Sequence, residues 1–500
     1  MNTHARNIHE RRALLSRFGR EFLGLHPPTP VRTLDGAGAT RRKVYLDATA
    51  TSLMPTPVWA ALDRYFRLAC ANSHTHAHAA GRETTAAIER ARELVGELVG
   101  WDPSVDVAIF TGNGATGAAN LLAEALFPAP PTQGRDVVLV SKMEHHSNML
   151  PWMRAVGRDR VRFIDTSPDG TLDQACYRRL LEAEGARVAV VAVTGVSNVT
   201  GIINPVHELA RTAHRAGAEI VVDAAQAAPH VPLDMHPAGD PDGALDYVIV
   251  SGHKLYAPGS RGVLIGRRDV FHEDRVVGGV GGGAVDMVST EEVRWKADVA
   301  AREEAGTPNI PGTIALGVVA GMLREIGMDL VREHEVALVD DALGRLSRVP
   351  GVVVYGSADT ARVPRAGVIA FNVRDLPHGL VAAALWDYFA IAVRNDCFCA
   401  QPYVKEQLQL RPDVESSCAS EAAACDVEHK PGMVRASFGV FTTRDDVAAL
   451  DEALTFIAAH AGELRARYVR SAGGDFTHTG AADAPAFSID DVVAGWAAGG

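Results

Sequence analysis

Lys254 sits between two short apolar runs, Tyr247–Val250 and Val263–Ile265, in the stretch DYVIVSGHKLYAPGSRGVLIG. The polar triplet Ser251-Gly252-His253 ends the first run, and a loop rich in Gly and Pro leads to the second. The pattern predicts two strands with one lysine on the connection between them. An amine held there, beside a histidine and small residues, loses solvent, and that lowers its pKa. A neutral amine is what a Schiff base to a carbonyl substrate or to pyridoxal phosphate requires. A surface lysine in a hairpin loop fits the same local pattern, so the surroundings have to decide.

Asp223 closes another apolar run, with Gln226 three residues on. A carboxylate there could hold a ring nitrogen protonated and keep the ring an electron sink, or it could simply cap the next turn. Thr111-Gly112-Asn113-Gly114-Ala115-Thr116 precedes an apolar helical pattern through Leu126. Backbone N–H groups, the helix dipole and the Thr116 hydroxyl could cradle a phosphate; Thr116 as a plain N-cap is the alternative. His145 could stack on a cofactor ring or be an ordinary loop histidine. The loop Asn72–Gly81 carries three further histidines, among them His74. Four of the six cysteines, Cys397, Cys399, Cys418 and Cys425, fall close together near the C-terminal end. Cys399 could be an exposed reactive thiol or a half-buried structural one. The cluster could be loop thiols, resolving or relaying cysteines, or a four-thiolate metal site, although its spacing fits no common zinc knuckle.

The elements that must position these residues alternate. Strand patterns at Val107–Phe110, Asp136–Ser141, Arg187–Val193 and Glu219–Val222 are separated by helical periods, including an amphipathic helix over Thr84–Val99 and one opened by Pro205 and closed by Gly217. Such alternation predicts right-handed βαβ units and a largely parallel sheet covered on both faces. Ligands bind beyond the carboxyl ends of such strands, and Thr116, His145, Asn198 and Asp223 all follow strand ends. After about residue 326 the order changes to helix, strands (Val352–Tyr355 and Val368–Asn372), helix, strand (Ile391–Arg394), strand (Met433–Phe438) and helix, a smaller α+β unit. The expected organisation is an N-terminal extension over 1–43 (a helix, then a loose connection), a large domain over 44–325, a small domain over 326–468 to which the N-terminal segment adds, and a tail over 469–500 that is largely unstructured apart from a short helix at Ser488–Ala497.

Composition narrows the function classes. Five hundred residues, 47% hydrophobic and 22% charged, allow two or three packed units, and a net charge of −12 without a dense basic block argues against nucleic acid as a partner. The longest apolar runs are of strand length, which argues against a membrane span. The basic, amphipathic N-terminus contains Glu10 and Glu21 and lacks a Ser-rich stretch, so it reads as a surface helix rather than a transit peptide, and the cysteine usage does not suggest a secreted framework. A cytoplasmic protein is expected.

Taken together, YLDATA, EHHSNMLPW, VSNVTG, VDAAQAAPH, VSGHKLYAPGSRGVLIG, EAGTPN and VRASFGVFTT span roughly residues 43–460. On these stretches the chain resembles the class V aminotransferase group of fold-type I pyridoxal-phosphate enzymes, most closely the SufS-type cysteine desulfurases and selenocysteine lyases. The resemblance implies an α/β fold with a large, mostly parallel sheet domain and a smaller α+β C-terminal domain, a homodimer, and pyridoxal 5′-phosphate as cofactor. It implies Lys254 as the Schiff-base lysine, Asp223 as partner of the pyridine nitrogen and His145 as the stacking and proton-handling histidine. Asn198 and Gln226 would bond near the phenolic oxygen. Thr116, Ser251 and His253 would bind phosphate, with Thr307 reaching in from the other subunit. Arg435 would clamp the substrate carboxylate, with Arg394 and His74 as further substrate-binding candidates, and Cys399 would be the nucleophile. The implied reaction converts L-cysteine to L-alanine and an enzyme persulfide, passed on to an acceptor protein or small molecule. A class V relative acting on another amino acid and a non-catalytic sulfur-relay protein are the alternatives. Three departures stand out: the Cys397-x-Cys399 pair, which resembles the desulfurase-like domain of molybdenum cofactor sulfurases; the long segment between Cys399 and Arg435; and Ala115-Thr116-Gly117 in the phosphate loop.

Overall fold

Val-rich runs that lack polar alternation need cover on both faces, and the chain supplies it around one seven-stranded sheet. The computed structural model describes residues 6–128, 134–410, 431–471, 474–480 and 487–498. The sheet contains β1 (Asp106–Thr111), β2 (Val137–Ser141), β3 (Val161–Ile164), β4 (Val188–Thr194), β5 (Glu219–Asp223), β6 (Tyr247–Ser251) and β7 (Gly262–Arg267). Their spatial order is β1-β7-β6-β5-β4-β2-β3. Only β7 runs against its neighbours, pairing antiparallel with both β1 and β6. The carboxyl ends Thr111, Ser141, Thr194, Asp223 and Ser251 therefore share one edge of the sheet, where a parallel α/β fold places its ligand.

A second, wholly antiparallel sheet follows, with β8 (Val352–Val354), β9 (Val368–Val373), β10 (Arg394–Asp396) and β11 (Met433–Ser437) in the order β8-β9-β11-β10. The N-terminal segment joins this part of the fold. Val44–Tyr45 pairs in parallel with Ile391–Ala392, and Asp47 bridges to Ser437. Helix Ile8–Phe18 opens with a capping box on Asn7 and Glu10, and Arg11 Nε donates to the Ile326 carbonyl at 2.8 Å. Phe18 and Phe22 then join Tyr256 and Phe441 in an edge-to-face aromatic group with centroids 4.9 to 6.4 Å apart. The extension thus packs directly behind the connection that carries Lys254.

The structure departs from the sequence reading in several places. The connection after the first helix is a hairpin, Pro28–Val31 with Ala39–Arg42, turned by Gly36 and Gly38 at positive φ. Edge strand β3 and helix Gln174–Glu184 were not anticipated, because the run Val161–Ile164 is short and half-buried at its centre. The glycine-rich stretch before Glu304 contains a further hairpin, Val285–Val288 with Val293–Trp295. The strand expected over Ile391–Arg394 breaks at Val393 into two pieces with different partners. The tail read as largely unstructured is corrected at its start: Tyr468–Arg470 pairs with Phe476–His478, and His478 meets the Tyr388 hydroxyl at 3.0 Å. The short helix expected there is present at Ile489–Ala497 and buries no residue.

Candidate functional site

Strand pairing builds the lysine connection. Gly262 lies opposite both Ser251 and Thr111 in the sheet, and a Cβ there would meet the Gly114 carbonyl oxygen at 2.1 Å. Only glycine lets β7 pass so close to the start of helix Gly114–Leu126. The Gly252 N–H closes on the Arg261 carbonyl at 3.1 Å, and Tyr256, in the left-handed region at φ 52°, accepts the Val440 N–H on its hydroxyl at 3.1 Å. Leu255, Tyr256 and Ala257 are all buried. They leave Lys254 with its amine on a cavity of about 240 Å³ at the carboxyl ends of the strands.

No hydrogen bond or ion pair holds that amine among the described residues. Burial depresses its pKa, the Asp223 carboxylate pulls the other way, and Arg435 adds to the depression. Burial raises the pKa of Asp223, opposed by the Ala225 N–H and by Lys254. His145 Nδ1 accepts the Ser147 N–H at 3.1 Å, which leaves its other nitrogen free to carry the proton. Burial first, then the charges of Lys254, His146 and Arg435, bring its pKa down to about 3, so the ring is neutral at ordinary pH. Glu144, the residue before it, is fully buried. It accepts from the Ser141 hydroxyl, the Asn148 amide and the Thr194 N–H, and desolvation pushes it up to about 8.

On the facing side Arg435, in the middle of β11, lies directly across from Arg394 on β10. It donates to the Asn198 carbonyl at 3.0 Å and to Asp47 at 3.4 Å, while its Nε has no partner in the structure. Burial holds its pKa at about 10. Beside it the chain turns sharply, with Asp396, Phe398 and Cys399 all at positive φ (112°, 51° and 54°). Residues of these types adopt that region only when their surroundings hold them there. Cys399 is exposed and reaches the cavity; Cys397 is buried, its thiol directed to the Pro431 carbonyl at 3.2 Å. Cys418 and Cys425 lie outside the described residues.

Lys254, His145, Asp223, Asn198, Thr116, Ser251, His253, Arg394, Arg435 and Cys399 all line this one cavity. Gln226, Thr307 and His74 do not. Gln226 sits behind the wall, with Nε2 on the Thr49 carbonyl at 3.0 Å and Oε1 unpartnered. Thr307 and His74 are exposed at the surface. Asn198 spends its amide on the Phe398 carbonyl at 2.8 Å. Thr116 is not the N-cap. Asn113 holds that position without a side-chain bond, and the Thr116 hydroxyl meets Ser147 at 2.6 Å. The sequence reading missed Thr49, Ser147 and Phe398, which also line the cavity. Ser147 and Thr49 fall inside the recognised EHHSN and YLDATA stretches, whereas Phe398 carried no signal beyond its place between two cysteines.

The donor set suits a phosphorylated pyridine aldehyde. A 13-residue helix opens toward the cavity with no side chain capping it, and Thr116, Ser147, Ser251 and His253 ring that end, as an anionic group requires. A buried carboxylate and an unpaired amine complete the set.

Comparison with known proteins places this arrangement. Residues 44–450 match the family Aminotransferase class-V. A probable cysteine desulfurase of Halalkalibacterium halodurans is 36% identical over 82% of this chain and 92% of its own. A cysteine desulfurase of Klebsiella pneumoniae is 34% identical over 81% and 91%. Among solved structures, the apo cysteine desulfurase of Thermococcus onnurineus NA1 superposes with a TM-score of 0.70 at 30% identity, covering 83% of this chain and 95% of that one. The cysteine desulfurase CsdA of Escherichia coli gives 0.68 at 28% identity, covering 84% and 95%. The chain belongs to the class V aminotransferase family, with the cysteine desulfurases as its relatives over most of its length.

Proposed function

We propose that this protein is a pyridoxal-phosphate-dependent cysteine desulfurase that converts L-cysteine to L-alanine and leaves the sulfur on Cys399 as a persulfide. The observation that carries the reading is the meeting of an unpaired, desolvated amine and an exposed thiol on one small cavity that a buried arginine also lines. The family is pyridoxal-phosphate-dependent; when bound, that group supplies an electron sink for bonds broken at the substrate's α- and β-carbons.

The chain's own residues do the rest. Lys254, its pKa lowered by burial, is the amine that would hold the cofactor covalently, and it moves a proton at its Nζ. Asp223 would hold the proton on the pyridine nitrogen, and neutral His145 would lie beside the ring and carry its exchangeable proton at Nε2. The open helix end with Thr116, Ser251 and His253 would take the phosphate, and exposed Thr307 would serve the site of a second copy in a homodimer. Asn198 and Gln226 would each have one amide hydrogen left for the ring oxygen, Gln226 only from behind the cavity wall. Arg435 binds the substrate carboxylate in the bidentate manner of a guanidinium, with Arg394 beside it; His74 has no contact with this cavity. The Cys399 thiolate attacks the substrate sulfur. The new S–S bond forms as the substrate C–S bond breaks, and the carbon that loses sulfur takes a proton. A thiol acceptor then removes the outer sulfur.

The test is L-cysteine turnover by the cofactor-loaded protein. Alanine is expected from the first turnover, with an equal amount of sulfide once a reductant is added. Turnover of another amino acid, with neither product from L-cysteine, would rule the reading out.

A further inference from the structure

Three contacts form a closed circuit beside the thiol. The Arg435 guanidinium lies over the Phe398 ring at 4.7 Å. An Arg435 N–H donates to the Asn198 carbonyl at 3.0 Å, and the Asn198 amide donates back to the Phe398 carbonyl at 2.8 Å. The next carbonyl along, that of Cys399, accepts the His146 N–H at 2.7 Å. Two successive carbonyls of the turn are thus fixed from the main-sheet side. Phe398 is 7% exposed, while its neighbour Cys399 is open to the cavity. Both have left-handed backbones, at φ 51° and 54°.

A bulky residue holds that conformation only against a counterforce. Glycine would turn the chain here at lower cost, so the side chain must be used for something. Its ring lies against a face of the Arg435 guanidinium, which in-plane hydrogen bonds cannot cover. A buried cation whose Nε lacks a partner gains from an aromatic face. The ring also anchors the residue that points Cys399 outward.

We propose that Phe398 is a positioning residue that orients Arg435 for the substrate carboxylate and, through its strained backbone, holds the Cys399 thiol at the cavity mouth. This rests on the desulfurase reading of Arg435 and Cys399. It adds that carboxylate binding and sulfur attack are set by one side chain, so both parameters respond to it.

The test uses cofactor-loaded Phe398→Leu, Phe398→Gly and Phe398→Tyr beside the parent. Alanine release gives kcat and KM, the bound cofactor's visible absorption reports an intact site, and iodoacetamide labelling of the Cys399 peptide is followed by mass spectrometry, because Cys70 is exposed too. Phe398→Leu is expected to raise KM for L-cysteine roughly three- to tenfold, as loss of a desolvated cation–π contact implies. It should also lower kcat and alter the Cys399 labelling rate at unchanged absorption. Phe398→Gly should do the same although it relieves the backbone. Phe398→Tyr keeps the ring and should stay within about twofold of the parent. Parent-like KM, kcat and labelling in Phe398→Leu and Phe398→Gly would overturn the proposal. If the parent released no alanine from L-cysteine, the desulfurase reading would fail by itself. The labelling rates would still decide the position of the thiol, an unchanged rate in Phe398→Leu counting against it.

Discussion

Lys254 stands on a connection closed by two neighbouring strands, whereas Cys399 stands on a turn closed by hydrogen bonds to distant parts of the chain. Around the lysine, buried Leu255, Tyr256 and Ala257 exclude water, and the sheet register fixes the backbone. Around the cysteine, two of the three residues with positive φ, Phe398 and Cys399, are held by Asn198 and His146 from the far side of the cavity. The proposed chemistry accounts for the difference. An amine becomes a useful nucleophile when desolvation removes its proton, so it belongs in the core. A thiol that must hand sulfur to another molecule has to stay exposed, and its position must come from the backbone because burial cannot supply it.

That contrast can be broken in graded steps. Lys254→Ala should abolish the bound cofactor's absorption and reduce alanine release by at least about 10² to 10⁴ fold, the worth of a positioned proton-transfer group. A variant that kept both would remove the lysine from the chemistry. Cys399→Ala should keep the absorption and lose persulfide formation and most alanine release; loss of the absorption as well would mean that the turn supports the cofactor.

The lysine connection also depends on a buried charge group. Glu304 accepts from Arg92 at 2.5 Å, from the Phe110 N–H at 2.8 Å and from Arg261 at 3.4 Å. Arg261 closes the connection at its far end, and both arginines are almost wholly buried. Glu304→Ala should cost about 3–5 kcal/mol by leaving uncompensated charge, read from urea unfolding. The tether behind the cysteine turn is weaker. Lys142 bonds Glu406 on the helix that follows Cys399, and each is about a third exposed. Lys142→Met should therefore change stability by no more than about 1 kcal/mol. A larger loss than in Glu304→Ala would reverse the ranking of the two regions.

pH separates the same groups. His145 and His253, brought down to about 3 and about 4, bind protons more weakly folded than at their ordinary value of 6.5. The unfolded chain therefore takes up more protons below that value, and stability falls as pH drops through this window. Glu144 has the opposite sign. Its folded pKa, raised to about 8 from 4.5, gives stability that is full below 4.5 and declines as pH rises toward 8. Thermal melts of the cofactor-free protein should show both limbs, and Glu144→Gln should flatten only the alkaline one.

The βαβ alternation and strand-end polar residues were legible because apolar runs and helical periods are local signals. The lysine connection, Asp223 and His145 could be located because each terminates a strand, and strand ends in a parallel sheet converge. Local pattern did not reach features that depend on a distant partner. The break at Val393 exists because Ile391–Ala392 pairs with Val44–Tyr45 while β10 pairs with β11. The hairpin at the start of the tail forms because His478 finds Tyr388.

By itself the sequence determined which residue types follow the strand ends, among them an amine, a carboxylate and an imidazole that could serve one reaction. Only the tertiary structure decided that Gln226 stands behind the cavity wall and that Thr116 meets Ser147 instead of capping its helix. It alone decided that Asn198 and Arg435 both close on Phe398, next to the thiol. Strand periodicity is written within a few neighbouring residues, whereas the direction of a buried side chain is fixed by whichever distant donor or acceptor removes the cost of leaving it unpaired.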